Sequence, residues 1–579
     1  MYGVRCSISR SACGVTQEPL DLETSFHHNI ACVFLFVPRH HSITMQDNNW
    51  KEVVSKKRQQ QADAISTFVS TELSDIEEQQ SYYSTITDVD DVAVLAQKIA
   101  SGQFSSENVV KAYISRAIEA HKKTNCLTEI LFKDALAQAQ ELDCYYAKEG
   151  KPRGSLHGIP ISLKDQFNVK GYDTTLGYTS RAFKPASKDA VLVNILKKLG
   201  AIMICKTNLP QSIMWAETDN PLWGLTENSI ISGYTPGGSS GGESALIYSH
   251  GSLIGFGSDL GGSIRMPAHL MGLYGFKPSS SRLPYSGVPV STDGQEHVPS
   301  SIGPLARSLS SIYELTREII LQEPWMKDCR CIPIPWRQNT YNSILKRKLT
   351  IGVLRDDGVV KPHPSISRVI EDAVAALVAD GHELVQWKPE FHAECMEVMD
   401  AYFTVDGGED IRREVEAGGE PFIPAVERLL NRGKPISVFY YWQLNKRKRE
   451  LQQAYLEKWN NTLSAKGKTV DAIIMPALPH SAVPHRSIRW VGYTKVWNLL
   501  DYTALVIPGG YVEPQDLEAK CDHEPRNEMD EGNSRLWEEN KHDMVKNRLP
   551  VDIQVVGRNL EEEKVLAIGK VVDDLLRGR

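Results

Sequence analysis

The chain has 579 residues, 41% apolar and 24% charged, and its 65 lysines and arginines against 72 aspartates and glutamates leave a formal charge of -7. That composition excludes collagen, coiled coil and wholesale disorder, and the acidic balance argues against a nucleic-acid partner, which is normally met by a basic face. Ten cysteines, at 6, 13, 32, 126, 144, 205, 329, 331, 395 and 521, are too sparse for a disulfide scaffold and lack paired metal spacing. A reducing, cytoplasmic setting is expected.

Near the start, the apolar run Ile30 to Pro38 is far shorter than the ~20 residues that span a bilayer. Arg39, His40 and His41 follow it where a signal peptide would carry small residues, so neither secretion nor membrane association is expected. Residues 1–44 show no period and read as a disordered or mis-assigned N-terminal extension, with Met45 as the expected first residue. Residues 45–91, opening MQDNNWKEVVSKKRQQQ, read as an N-terminal helical segment. Beyond Asp88, VAVLAQKIASGQ and SSENVVKAYISRAIEAHKK carry helical periodicity, the second with its own start signal. The β-branched runs IPISLKD, AIMICKT, KLTIGVL and VDAIIMP then alternate with helical stretches such as DAVLVNILKKLG and ISRVIEDAVAALVADG, which points to an α/β fold. Residues 514–549, dense in charge and poor in apolar side chains, read as an exposed insertion.

The informative stretch is PGGSSGGESALIYSHGSLIGFGSDLGGSIRMPAHLMGLYGFKP, from Pro236 to Pro278. A flexible linker is not expected to carry Asp259 and Arg265 among its glycines or to run into LMGLYGF. A phosphate loop needs a lysine and a hydroxyl after its last glycine, and here Glu243 follows. Gly237 to Gly241 matches the G-x-S-x-G elbow of α/β hydrolases, but that elbow needs a strand before it, and SGYTP is turn-like. Upstream, Lys164 in HGIPISLKDQF follows an apolar strand-like run, where a lone lysine would read as a strand-end surface residue.

Taken together and in order, GIPISLKD, GGSSGGE and GSDLGGSIRMP resemble the amidase signature family, and the 24 residues from Ser239 to Ser263 match that family's interval between its two catalytic serines. KTNLPQS, NPLWGLTEN, DAIIMPALP, WNLLDYTALVIP and PVDIQVVGRNLEEEKVLAI extend the resemblance from about Val92 to Leu576. YYAKEGKPRGSLHGIPISLKDQF, GQEHVPSSIGPLARS and EPWMKDCRCIPIPWRQ are similar to its fungal acetamidase and general amidase type.

The resemblance implies a single large amidase-signature domain over 92–579, with a mixed, twisted β-sheet covered by helices on both faces and the N-terminal helical segment packed on it. It implies Lys164 as base, Ser239 as bridging serine with a cis peptide bond, and Ser263 as nucleophile. Backbone N–H groups of Leu260, Gly261, Gly262 and Ser263 would hold the oxyanion, while Ile213 would line the acyl pocket. Ser240 rivals Ser239, and only the 24-residue interval favours the first. A lysine can serve as base at neutral pH only if burial depresses its pKa from about 10.4, and the apolar ISL before Lys164 suits that. Asp259 and Arg265 read as structural, and Tyr248 departs from the small residue usual in the family.

Other features weigh less. Cys329 and Cys331 form a lone CxC; His480 and His485 read as turn residues near a pocket mouth; Lys446 to Arg449 reads as a solvated helix face. The segment YYWQ at 440–443 reads as core or pocket lining, and acyl selectivity is expected from residues between Phe391 and Asn445. The expected activity is hydrolysis of a monocarboxylic acid amide to carboxylate and ammonia through an acyl-serine, without metal or organic cofactor. The partner is then a small-molecule amide, and a homodimer is common in the family. Three alternatives stay open: an α/β-hydrolase-like esterase using Ser239 and a histidine, an amidotransferase-type subunit of a complex, and a catalytically dead binding protein.

Overall fold

The computed structural model describes residues 50–73, 76–519 and 523–578. The expectations for residues 1–44 and for Met45 lie outside the described residues. Two helices, Trp50–Glu72 and Ile76–Thr87, come first. Lys57 on the first is buried and pins it to the body of the protein through Glu129 at 2.8 Å and Asp173 at 2.6 Å. The helical periodicities seen in sequence become capped helices. Asp91 accepts from the Val94 N–H at the start of Val92–Ala100, and Ser105 accepts from the Asn108 N–H at the start of Ser106–Thr124. The latter ends on Asn125 in the left-handed region, φ 54°.

Eleven strands form one mixed sheet among the described residues. In chain order they are β1 (Leu127–Ile130), β2 (Pro160–Lys164), β3 (Ile202–Thr207), β4 (Ile254–Asp259), β5 (Tyr274–Lys277), β6 (Ser301–Ala306), β7 (Thr350–Val353), β8 (Glu383–Gln386), β9 (Ala472–Pro476), β10 (Ala504–Tyr511) and β11 (Pro550–Val556). Their spatial order is β1-β3-β2-β4-β6-β5-β10-β11-β9-β7-β8. β2 runs parallel to both β3 and β4, β7 runs parallel to β8 and β9, and the other pairings are antiparallel. Every residue of β2, β3 and β4 is buried, so these strands lack the alternation of a half-exposed strand and read as continuous runs.

That burial brings polar groups inside, and each must find a partner. The glycines of β4 make room for them: a Cβ on Gly255 would stand 1.9 Å from Glu243 Oε2, and one on Gly257 would stand 2.5 Å from Ser240 Oγ. Backbone without side chains lets the serine-rich segment and the helix that follows it, Gly241–Tyr248, lie directly on the strand.

The segment read as an exposed insertion is corrected. Its helix, Glu528–Lys546, buries Trp537 and Met544 in the main core. The two are seven residues apart, two helical turns, so one narrow apolar stripe docks a helix whose overall composition is polar. Asp530 is also buried, where it accepts from the Lys361 N–H at 2.8 Å.

Candidate active site

Lys164 ends β2 inside the molecule, fully buried. Its Nζ lies 2.6 Å from Ser239 Oγ and 3.0 Å from Ser258 Oγ. Ser258 in turn donates to Gln166 Oε1 at 2.5 Å, while the Gln166 amide donates to Tyr285 Oη and to the Pro289 carbonyl, each at 3.3 Å. Burial pulls the Lys164 pKa down to about 7, against the opposing pull of Asp259, Glu243 and Asp165.

Ser239 follows a cis peptide bond from Gly238 and is 2% exposed. Ser240, its rival in sequence, points elsewhere: its Oγ is buried without a hydrogen-bond partner, and its N–H donates to the Ser263 carbonyl at 3.2 Å. Ser263 is only partly buried and, with Ser239 and Ser258, lines a cavity of about 150 Å³. It also lines a larger cavity of about 600 Å³, together with Leu260 and Gly261. Ile213, held at φ 59°, borders both.

The turn that carries Ser263 is built by Asp259. Its carboxylate accepts from Arg265 Nε at 3.0 Å and Nη2 at 2.9 Å, and from Asn498 Nδ2 at 2.8 Å. It also accepts from the N–H groups of Gly262 at 2.8 Å and Ile264 at 3.2 Å. Despite burial, the Arg265 guanidinium beside it holds the Asp259 carboxyl far below the usual carboxylate range. The expected donor set is corrected here: the Gly262 N–H is spent on Asp259. Among the described residues, the N–H groups of Leu260, Gly261 and Ser263 have no internal acceptor. Gly262 keeps a role as glycine, with φ at 124° and a hypothetical Cβ 2.2 Å from Thr494 Oγ1.

Glu243 escaped the sequence reading except as a charge hostile to phosphate. It is fully buried, accepts from Ser162 Oγ at 2.6 Å and Thr207 Oγ1 at 2.7 Å, and burial raises its pKa to about 7. Ser258 and Gln166 were missed as well. The signal for both was adjacency, since Gln166 lies two residues past Lys164 and Ser258 immediately precedes Asp259.

Several other expectations resolve. Met396, Asp400, Phe403, Thr404 and Arg432, all between Phe391 and Asn445, line the larger cavity. YYWQ divides: Tyr440 and Trp442 are 64% and 62% exposed at the start of the helix Val438–Asn461, whereas Tyr441 packs against a buried cluster, its ring centre 6.4 Å from that of Tyr402. The basic run from Lys446 lies on that helix, where Arg447 pairs with Glu450 at 2.9 Å. His480 is corrected from a turn at a pocket mouth to a buried residue, its Nδ1 2.8 Å from the Ser481 carbonyl, and His485 pairs with Glu227 at 3.2 Å. Tyr248 is half-exposed at the end of its helix, and Cys329 and Cys331 are free thiols.

The structure thus brings together a buried lysine, a cis-linked serine and a second serine on a glycine-rich turn. The sequence matches the family model for Amidase over residues 108–566. The chain belongs to the amidase signature family. "Amidase 1" of Gibberella moniliformis is 50% identical over 488 residues, covering 84% of this chain and 93% of that protein. "Acetamidase" of Emericella nidulans is 41% identical over 489 residues, covering 84% and 88%. Among solved structures, "Fatty acid amide hydrolase" superposes with a TM-score of 0.82 at 32% identity, covering 91% of this chain and 95% of that one. As an amidase-signature protein the chain is a hydrolase of amide C–N bonds. An esterase of the α/β-hydrolase type would need a histidine on Ser239, whose partner is instead Lys164.

Proposed function

We propose that the protein hydrolyses a monocarboxylic acid amide to the carboxylate and ammonia through an acyl-Ser263 ester, with Ser239 and Lys164 as its proton route. The observation that carries this is the 2.6 Å contact between Ser239 Oγ and a buried lysine whose pKa falls to about 7, so that neutral amine is present at neutral pH. Ser258 sharpens the geometry. Its single hydroxyl proton goes to Gln166 Oε1, so at Ser258 the lysine must donate, and its lone pair is left to face Ser239.

Lys164 takes the proton of Ser239 as Ser239 takes that of Ser263, and Ser263 Oγ adds to the carbonyl carbon. The oxyanion meets the free N–H groups around Leu260, Gly261 and Ser263, donors of a kind whose individual loss costs about 3 kcal/mol. Ser239 then returns a proton to the departing nitrogen, the C–N bond breaks, and Ser239 recovers its own proton from Lys164. Water enters by the same route: it passes a proton through Ser239 to Lys164 and attacks the ester carbonyl; as the C–O bond to Ser263 breaks, that proton returns through Ser239 to Ser263 Oγ, and the released acid ionises to solvent as the carboxylate. Over the cycle the Ser263 proton leaves with the nitrogen and water replaces it, so Lys164 and Ser239 return to their starting protonation states.

Ammonia release from a panel of aliphatic and aryl amides tests this in the intact protein and in Ser263→Ala, Ser239→Ala and Lys164→Ala. The first variant is expected to be inactive, the other two slowed by about 10²- to 10⁴-fold. Full activity in Ser263→Ala would sink the assignment.

A further inference from the structure

Ser263 stands where two cavities of opposite character meet. The smaller, about 150 Å³, holds Ser239 and Ser258 and is bordered by Asp293, Glu296 and Arg330, two carboxylates against one cation. The larger, about 600 Å³, is walled mainly by apolar side chains such as Met214, Met396, Phe403 and Trp490. Its charged lining residues are Arg432, Arg489, Lys495 and Asp400, three cations against one carboxylate. Lys495 contacts Asp400 Oδ1, and Arg432 Nη1 lies 3.9 Å from the same oxygen, so two cations share one carboxylate. Arg489 donates only to the carbonyls of Arg486 and Ile488 and has no carboxylate within ion-pair distance among the described residues. Lys495 borders the nucleophile's own turn: a Cβ on Gly261 would stand 3.4 Å from its Cγ, and its ammonium lies 4.8 Å from the Phe403 ring centre.

The sidedness follows from the proton route and rests on the function proposed above. Ser239 hands its proton to the departing nitrogen, so the leaving group occupies the cavity Ser239 lines, and the acyl group occupies the other. We propose that the acyl group is an apolar chain or ring of several carbons bearing a carboxylate at its far end, held by Lys495 with Arg432 and Arg489, and that ammonia or a small amine departs on the Ser239 side. An acetyl group would leave most of 600 Å³ unfilled, and each methylene buried there is worth roughly fourfold in affinity. Lys495 is largely shielded from solvent among the apolar walls, while Arg432 and Arg489 stand nearer solvent, and the excess of positive charge has an anion as its complement. The opposite imbalance across Ser263 suits an amine product leaving past Asp293 and Glu296.

The experiment is a matched series: half-amides of dicarboxylic acids from succinamate to suberamate, each against the unsubstituted monoamide of equal chain length. Binding to full-length Ser263→Ala is measured by calorimetry at low salt, and turnover is measured in the wild type. At the best chain length the half-amide is expected to bind at least tenfold more tightly, with the advantage shrinking as sodium chloride is added. Lys495→Met and Arg489→Gln should each cut that ratio severalfold; Arg489 is exposed, so its variant guards against a folding defect at Lys495. Monoamides that bind as well as the half-amides, no binding by either, or a ratio indifferent to both variants would overturn the inference. Equal turnover of both classes with an inactive Ser263→Ala refutes the anion site and spares the amidase chemistry. Selective half-amide binding without hydrolysis does the reverse.

Discussion

Ser258 Oγ lies 3.0 Å from Lys164 Nζ, and both residues are buried. With its own proton committed to Gln166, Ser258 acts as an acceptor that aims the lysine. Ser258→Ala is expected to lower kcat by about 10- to 100-fold, the equivalent of a hydrogen bond to a charged group, and to leave KM little changed. Ser258→Thr should restore most of the rate, because its hydroxyl can make the same two bonds. A kcat unchanged in Ser258→Ala would show that the lysine needs no such aim.

The rate should depend on pH through two buried groups that interact, Lys164 and Glu243. Burial brings Lys164 down to about 7, and only its neutral form can accept a proton, so kcat/KM is expected to rise about tenfold per pH unit below that value and to level off above it. Glu243 titrates near the same pH, so the limb belongs to the pair. The negative charge of Glu243 favours protonated lysine, and Glu243→Gln should therefore move the limb to lower pH. A limb that stays in place would show that the two do not interact.

How much of this was legible in the sequence depends on the kind of information each residue carries. Lys164, Ser239 and Ser263 could be named because glycine clusters and a strand-end lysine recur in a fixed order, and β2, β3, β7 and β9 followed from β-branched runs. Glu243, Ser258 and Gln166 could not be assigned roles, because what matters about them is a partner on another strand. The Gly262 N–H was misassigned for the same reason: its direction depends on where Asp259 sits. The helix Glu528–Lys546 was misjudged because composition averages over a surface, whereas Trp537 and Met544 need only one stripe.

Asp259 and Arg265 are both fully buried and form an ion pair at 2.9 Å. Replacing one partner leaves the other's charge uncompensated, so Arg265→Met is expected to destabilise the fold by about 3–5 kcal/mol. The turn bearing Ser263 should loosen before the rest, since Asp259 also holds the Gly262 and Ile264 N–H groups. Urea unfolding combined with amide exchange at residues 260–264 checks both effects. A variant as stable as the wild type would show that the pair contributes no net stability.

Asp552 on β11 presents the opposite case, a buried carboxyl with neither oxygen hydrogen-bonded among the described residues. Burial pushes its pKa well above the ordinary carboxylate range. In the unfolded chain it ionises near pH ~3.9, while the folded protein keeps it protonated. Above that pH the unfolded state binds fewer protons, so the contribution of this group to stability, fully present in acid, is lost as pH rises towards the folded pKa. Asp552→Asn removes the ionisation while keeping the shape. Relative to the wild type, it is expected to gain up to about 1.4 kcal/mol per pH unit between roughly pH 4 and the folded pKa. Urea midpoints of the two proteins, compared across mildly acidic to neutral buffers, measure that slope. Parallel curves would mean that Asp552 ionises as easily inside the protein as outside it.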